Sequence, residues 1–425
     1  MKKRYVQVGL GGRSGFFWRP IVSTYKDTSE LVGFCDLNQT RMNYANRILK
    51  EEYNHEPVPT YPIEKFDDMV REQKADVVLV TSVDRTHHKY IIRAMELGCD
   101  VVTEKPMTTT AEKCQEILDA QKRTGRNIRV SFNYRYNPLH TKCREVIQDG
   151  IIGDVFSVHF EWLLDTRHGA DYFRRWHRDK RNSGGLLVHK STHHFDLVNF
   201  WIASEPKTVF AFGDLNFYGR ENAENRGITK FYNRATDNPA AKGDPFAATL
   251  YSNPKWKALY LDAEHEDGYI RDQSVFSDGI SIEDTMGVLV KYKSGAILTY
   301  SLNAFTPYEG YRIAFNGSKG RMELASIETP VFNEDGVMDS KSVKDNLRVF
   351  PMFGTAYDVE FTAGEGGHGG GDPVLQNDLF GTPEEDKFHR AANHVDGAMS
   401  ILTGIAANQA IATGRPVDVD TLVKF

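Results

Sequence analysis

The chain has 425 residues, 40% hydrophobic and 12% aromatic, with 52 basic against 58 acidic side chains and a formal charge of −6. That length exceeds what one hydrophobic core usually serves, so two domains are expected; the apolar content excludes wholesale disorder, and a mildly acidic chain without Lys/Arg blocks is a poor partner for nucleic acid. No apolar run approaches the roughly 20 residues of a membrane-spanning helix, and four scattered cysteines (Cys35, Cys99, Cys114, Cys143) with no CxxC pair fit a reduced, cytoplasmic setting.

Short β-rich runs alternate with helical stretches through the first hundred residues. Segments 5–8, 31–35, 76–81 and 100–103 are short and β-rich with largely apolar centres, as strands buried on both faces of a parallel sheet must be. Between the last two, Ile91, Ile92, Met95 and Leu97 keep helical spacing up to a stop at Gly98. This alternation predicts right-handed βαβ units in a doubly wound sheet, closed by one more strand at 127–132. From residue 134 the pattern is α+β. A helix is expected over 139–148, a strand over 154–164, and a hairpin of 288–292 with 296–302 turning at Lys293-Ser294-Gly295. Further strands follow at 311–315 and 321–324, a glycine-rich loop at 364–372, and one or two helices over 384–413. The fold class is therefore α/β: a Rossmann domain over 1–133, then an α+β domain over 134–425 with an open, mainly antiparallel sheet. Such a sheet often pairs through its bare face, so a homodimer or homotetramer is expected. The polar segment 215–283 is too long for an ordinary connection, and is either a functional insertion or partly disordered.

Gly9-Leu10-Gly11-Gly12-Arg13-Ser14-Gly15 follows the first strand directly and leads into a helix. The strict GxGxxG spacing would place glycine at Ser14, so context carries the reading. The second strand ends in Asp36, 27 residues after Gly9, where a carboxylate accepts hydrogen bonds from ribose hydroxyls and repels a 2′-phosphate. Gly9, Gly11, Gly12, Arg13 and Ser14 then form a pyrophosphate cradle at a helix N-terminus. Asp36 favours NAD over NADP, while Arg13 and Arg41 as phosphate partners keep NADP open. The competing reading is a glycine turn that binds nothing, with Asp36 as a helix cap.

Glu104-Lys105-Pro106 at the fourth strand end, with His88 opening the preceding helix and Gly98 closing it, resembles the Gfo/Idh/MocA (glucose–fructose oxidoreductase/inositol dehydrogenase) family. The likeness continues through Asn133-Tyr134-Arg135 and Gly150 to Asp154, the run from Gly184-Gly185 to His193-His194-Phe195-Asp196, and Gly317 to Arg321. It covers nearly the whole chain outside 215–283. The resemblance implies that Lys105 contacts the substrate hydroxyl and the nicotinamide region, that Pro106 takes a cis peptide, and that His193 is the acid/base partner. Where the family places Asp four residues before that His, this chain has His189, with Lys190 beside it. Positions i and i+4 share a helix face, so His189 and His193 can address one substrate, and histidine suits proton transfer near neutrality. The chemistry needs such groups: a carbinol carbon gives up hydride only as its hydroxyl loses a proton, so a cation must stabilise the developing alkoxide.

Softer candidates surround these. Asp84, just after the third strand, faces the switch-point crevice near the nicotinamide ribose, and Glu104 belongs to the same edge. Arg135, Arg167, Tyr172, Trp176, His177 and Arg178, together with Tyr308, Glu309 and Tyr311, offer the aromatic faces and donors that bind sugars. His194 points off the 189/193 face and is expected to pack in the core. A metal on His189, His193 and His194 lacks an identifiable Cys or acidic ligand, although His368 and Asp372 lie in the glycine loop, and none is expected. The leading function is an NAD-dependent oxidoreductase acting on a secondary hydroxyl of a sugar, glycoside or cyclitol. The alternatives are a redox-neutral glycoside hydrolase or lyase that retains NAD, and a non-catalytic sugar sensor.

Overall fold

The computed structural model describes residues 2–329, 345–383 and 385–425. Six strands, β1 (Lys3–Val8), β2 (Ser29–Asp36), β3 (Thr60–Pro62), β4 (Val77–Val80), β5 (Asp100–Thr103) and β6 (Ile128–Val130), form a sheet in the order β3-β2-β1-β4-β5-β6. Every pairing is parallel. The Val-Val-Leu-Val run of β4 is wholly buried, because helices cover both faces. Those helices are α1 (Gly15–Val22), α2 (Gln39–Tyr53), α3 (Phe66–Glu72), α4 (His87–Glu96) and α5 (Ala111–Thr124). Side chains set the starts of two of them: Asn38 accepts from the Arg41 amide at α2, and Thr110 from the Lys113 amide at α5. The short β3 has no apolar run and escaped the sequence reading. The strand order reverses between β1 and β4, which opens a crevice at their C-terminal ends.

The chain leaves this sheet through α6 (Pro138–Gln148), with proline in its first turn. The remaining strands are β7 (Val155–Asp165), β8 (Pro206–Asp214), β9 (Thr285–Tyr292), β10 (Ile297–Thr306), β11 (Glu309–Gly317), β12 (Gly320–Thr329), β13 (Asn346–Pro351), β14 (Tyr357–Asp358) and β15 (Val417–Asp418). They make a nine-stranded sheet in the order β14-β13-β12-β11-β7-β10-β9-β8-β15. All pairings are antiparallel except β7 with β10, which run parallel from Ser157↔Ile297 onward. Helix Ser191–Ile202 and the long helix His394–Thr413 pack over one face. The other face leaves Phe212, Leu289 and Ile297 exposed.

Segment 215–283 is neither strand nor featureless loop: short helices at Arg220–Asn225, Pro254–Trp256 and Glu264–Asp267 are joined by a π-helical turn at Lys257–Leu261. The glycine-rich stretch is a loop up to Gly370 and then opens the helix Gly371–Phe380. Phe380 returns to the first domain, 5.4 Å from the Tyr5 ring centre. Of the 384–413 expectation, one helix forms, His394–Thr413, closed at its start by a capping box of Asn393 and Asp396; residue 384 lies outside the described residues. Gly404 lets this helix lie directly on the turn Leu186–His189, since a Cβ there would sit 2.1 Å from the Leu187 carbonyl oxygen.

Candidate active site

A cavity of about 770 Å³ opens at the C-terminal edge of the parallel sheet, between the two domains. Gly9, Gly11, Gly12, Arg13, Asp36, Asp84, Glu104, Lys105, Trp176, His177, His189, Lys190 and His193 all line it, so most of the residues singled out from sequence meet in one place. Glycine is required at position 9: its φ is +89°, and a Cβ would come within 2.5 Å of the Ser82 backbone. Above Gly11 a Cβ would meet nothing within 4 Å, so open space faces the loop where a pyrophosphate needs it. Ser14 is buried beneath the loop and accepts, through its carbonyl oxygen, from the Gln7 side chain. Asp36 accepts from the amides of Leu10 (2.5 Å) and Asn38 (2.9 Å), which fixes its carboxylate at the adenosine end.

Glu104 joins the glycine loop to the chemistry. One carboxylate oxygen takes the Arg13 guanidinium at 2.8 Å and the other the Lys105 amide at 2.9 Å, beside a cis Lys105–Pro106 bond. The Lys105 ammonium donates to the His189 carbonyl oxygen at 3.3 Å. Burial pulls its pKa down to about 8, against the upward pull of Glu104 and Asp84. Asp84 meets His189 Nδ1 at 2.5 Å, and burial pushes its carboxyl well up. Burial pushes His189, His193 and His177 well down, with the Lys105 charge adding to each, so all three are neutral imidazoles at neutral pH. His193 Nδ1 has no hydrogen-bond partner among the described residues. Helix Ser191–Ile202 and the preceding turn thus present one imidazole held by a carboxylate, His189, and one uncommitted, His193.

On the outer wall, Trp176 and His177 stack with ring centres 3.5 Å apart, and His177 lies 4.2 Å from His189. Lys190 sits 4.6 Å above the Trp162 ring and 3.6 Å from Glu309, which also takes His168 at 2.9 Å; Tyr172 bonds the other nitrogen of His168. His194 is packed as expected, stacked on Trp162 and bonded to the Tyr300 hydroxyl at 2.7 Å.

Several candidates stand elsewhere. Arg135 is buried in a three-way ion pair, with Asp196 at 2.8 and 2.6 Å and Asp396 at 3.0 Å, and does not reach the cavity. His88 is buried and turned away from the cavity, its Nε2 4.0 Å from Glu116. Its neighbour His87 lines the cavity, its two ring nitrogens lying 2.8 Å from the Pro106 carbonyl oxygen and 2.9 Å from that of Ser82, and the neutral ring donates to one of them. Arg167 is exposed and outside the cavity, while Tyr308 and Tyr311 line a separate, shallow dimple. Arg178 holds the carbonyls of Ser274, Ser277 and Asp278 rather than ligand space. Among the described residues, no group of three or more His, Cys, Asp or Glu is arranged to hold a metal, and no helix is long and apolar enough to cross a membrane.

What the sequence reading missed is the cavity's third wall, from segment 254–271. The Gly12 amide donates to the Tyr260 hydroxyl at 2.9 Å and the Gly12 carbonyl accepts from Lys255 at 3.0 Å, while Asn38 donates to the Ala263 carbonyl at 2.8 Å. Arg271 ties the same segment to the second domain through a bidentate pair with Asp171, both distances 2.9 Å. The only sequence signal was indirect: an aromatic and charged stretch too long to be a connection.

The fold and cavity define an oxidoreductase of the dehydrogenase type, built on an NAD-binding Rossmann domain. Two family descriptions match in tandem: "Oxidoreductase family, NAD-binding Rossmann fold" over residues 3–132 and "Oxidoreductase family, C-terminal alpha/beta domain" over 144–419. The chain belongs to the Gfo/Idh/MocA family. It is 36% identical to a Bacillus subtilis (strain 168) protein named "Putative oxidoreductase YteT", across all of this chain and 99% of the relative. It is 29% identical to the D-glucoside 3-dehydrogenase of Escherichia coli K12 across 40% of this chain and 46% of that enzyme. Among solved structures, the WlbA dehydrogenase of Bordetella pertussis in complex with NADH and UDP-GlcNAcA shares the fold, with TM-score 0.64, 18% identity and coverage of 98% and 99% of the two chains.

Proposed function

We propose that this enzyme oxidises a secondary hydroxyl of a sugar, glycoside or cyclitol with NAD. The observation that carries the reading is the half-buried Lys105 ammonium, set in the crevice between the glycine loop and the turn bearing His189, with the neutral His193 in the same cavity. The residues fit the nucleotide: a glycine loop on a parallel strand with open space above Gly11, a cavity at the strand ends, and Asp36 at the ribose end. NAD, when bound, supplies the hydride acceptor. The chain's own groups do the rest. Lys105 Nζ holds positive charge beside the hydroxyl oxygen and stabilises the alkoxide as it forms. The His193 imidazole, neutral and lining the cavity, takes the hydroxyl proton. Asp84 holds His189 in a fixed orientation, so that imidazole orients rather than relays. Trp176 with His177 offers a flat apolar face to a sugar ring, and Lys190 meets ring hydroxyls. Asp36 favours NAD over NADP at the ribose. The exposed Phe212, Leu289 and Ile297 on the bare face of the second sheet support pairing of two copies there.

The test is to incubate the purified protein with NAD and a panel of sugars, cyclitols and aryl glycosides, following nicotinamide reduction and aglycone release together. Stoichiometric NADH is expected. Aglycone release without net NADH would overturn the dehydrogenase reading in favour of redox-neutral glycoside cleavage.

A further inference from the structure

Segment 254–271 does more than wall the cavity. Glu266 and Asp267, adjacent residues of the short helix Glu264–Asp267, reach across to the first turn of α2, beside Asp36. Glu266 accepts from the amides of Gln39 (2.5 Å) and Thr40 (2.9 Å) and from the Thr40 hydroxyl. Those amides belong to a helix N-terminus, a natural seat for a phosphate. Asp267 takes Arg41 Nη1 at 2.6 Å, and Asp36 lies 4.0 Å from the same nitrogen. Arg41 is the guanidinium that could otherwise grip a 2′-phosphate; it is 8% exposed, and the Leu259 carbonyl takes its Nε at 2.9 Å. Its remaining nitrogen, Nη2, is buried with no partner among the described residues, in a side chain that lines the cavity. Both phosphate-binding features, the helix amides and the guanidinium, are therefore already occupied by carboxylates.

We infer that Glu266 and Asp267 act as a built-in substitute for the 2′-phosphate, making this segment of the second domain a determinant of NAD over NADP. The inference rests on the nucleotide reading above. Asp36, Asp267 and Arg41 together carry one net negative charge, and Glu266 adds another within the same turn. A 2′-phosphate would face that field with no free amide to bind it, whereas a neutral ribose hydroxyl can donate a hydrogen bond to Asp36. The specificity is mainly exclusion of the wrong nucleotide, supplied by residues far in sequence from the glycine loop.

Calorimetric dissociation constants for NAD and NADP in the full-length protein test it. Wild type should bind NAD at least 30-fold more tightly than NADP, and 5′-AMP more tightly than 2′,5′-ADP by a similar factor. Asp267→Asn, and more so the Glu266→Gln/Asp267→Asn double variant, should tighten NADP binding tenfold or more and move NAD less than threefold. Adding Arg41→Ala should erase that gain. The melting temperature of each variant shows that it is folded, and the wild-type AMP comparison stands without any variant. Wild type binding both dinucleotides equally, a double variant whose NAD/NADP ratio moves less than twofold, or a gain that survives Arg41→Ala would each overturn the inference while leaving the nucleotide site standing. Wild type that binds neither nucleotide would overturn the cofactor reading, and this inference with it.

Discussion

Lys105 and His193 share one cavity, and burial acts on each in the direction the proposed reaction needs. The lysine has its pKa drawn down to about 8 yet stays protonated at neutral pH, while the histidine is held neutral and free to accept a proton. Replacing Lys105 with Ala is expected to lower kcat by 100-fold or more at saturating NAD; a loss under about tenfold would refute its catalytic role. The pH profile follows from the same groups. If the ammonium must be charged, kcat/KM should be level from about pH 6.5 and fall as pH rises through about 8, where Lys105 loses its proton. Lys105→Arg should carry that alkaline limb upward or remove it, and initial rates between pH 6 and 10 check both. Arg135 belongs to a different argument. Its fork pairs with Asp196, whose carboxyl burial raises to about 7 even beside the guanidinium. Arg135→Ala strands that buried acid, so a stability loss of about 3–5 kcal/mol is expected in thermal or denaturant unfolding, with KM unchanged below the transition.

At the scale of elements, the site depends on contacts that hold the His189 turn and the glycine loop in place. The long helix His394–Thr413 touches that turn backbone to backbone at Gly404. Gly404→Ala inserts a methyl group where only 2.1 Å separates the built Cβ from the Leu187 carbonyl oxygen, so helix and turn must part. A stability loss on the order of 1–3 kcal/mol is expected, together with a fall in kcat, although position 404 lines no part of the cavity. A melting curve read beside the rate checks the pairing of effects. Much of this architecture was legible from local pattern. The βαβ alternation, the glycine loop, the Glu-Lys-Pro strand end and the i, i+4 histidines each have a spacing that backbone geometry dictates. The wall from segment 254–271 had none, because short helices and turns carry no periodicity and its partners in the first domain lie more than 200 residues away.

Across the whole molecule, eight of the fourteen histidines (His87, His88, His140, His177, His189, His193, His194 and His394) have their pKa pushed below the ordinary value, burial being the largest cause for each. For His88 and His140 it falls to about 4. In the unfolded chain these groups take up protons near pH 6.5, whereas the folded protein refuses them, so the unfolded state binds more protons below that pH. The imidazoles therefore make stability rise with pH through this window and fall from about pH 6.5 toward 4, at up to about 1.4 kcal/mol per pH unit for each proton taken up, opposed in part by the carboxyls of Asp196 and Glu328, raised to about 7. Eight imidazoles outnumber these carboxyls, so melting temperatures measured from pH 7.5 to 4.5 should fall toward acid; a melting temperature that rises toward acid would contradict this balance.

By itself, the sequence determined what repeats along the chain or lies within one turn: the strand–helix alternation, the cradle at Gly9 to Ser14, and the lysine and histidine types the chemistry needs. Tertiary structure alone decided which of two adjacent groups faces the cavity, His87 rather than His88, and whether a charge meets ligand or a buried partner, as at Arg135. It also brought Tyr260, Glu266 and Asp267 against the nucleotide crevice. The physical reason is that backbone geometry sets spacing locally, whereas the direction and charge state of a side chain depend on the desolvation and partners that distant segments bring to it.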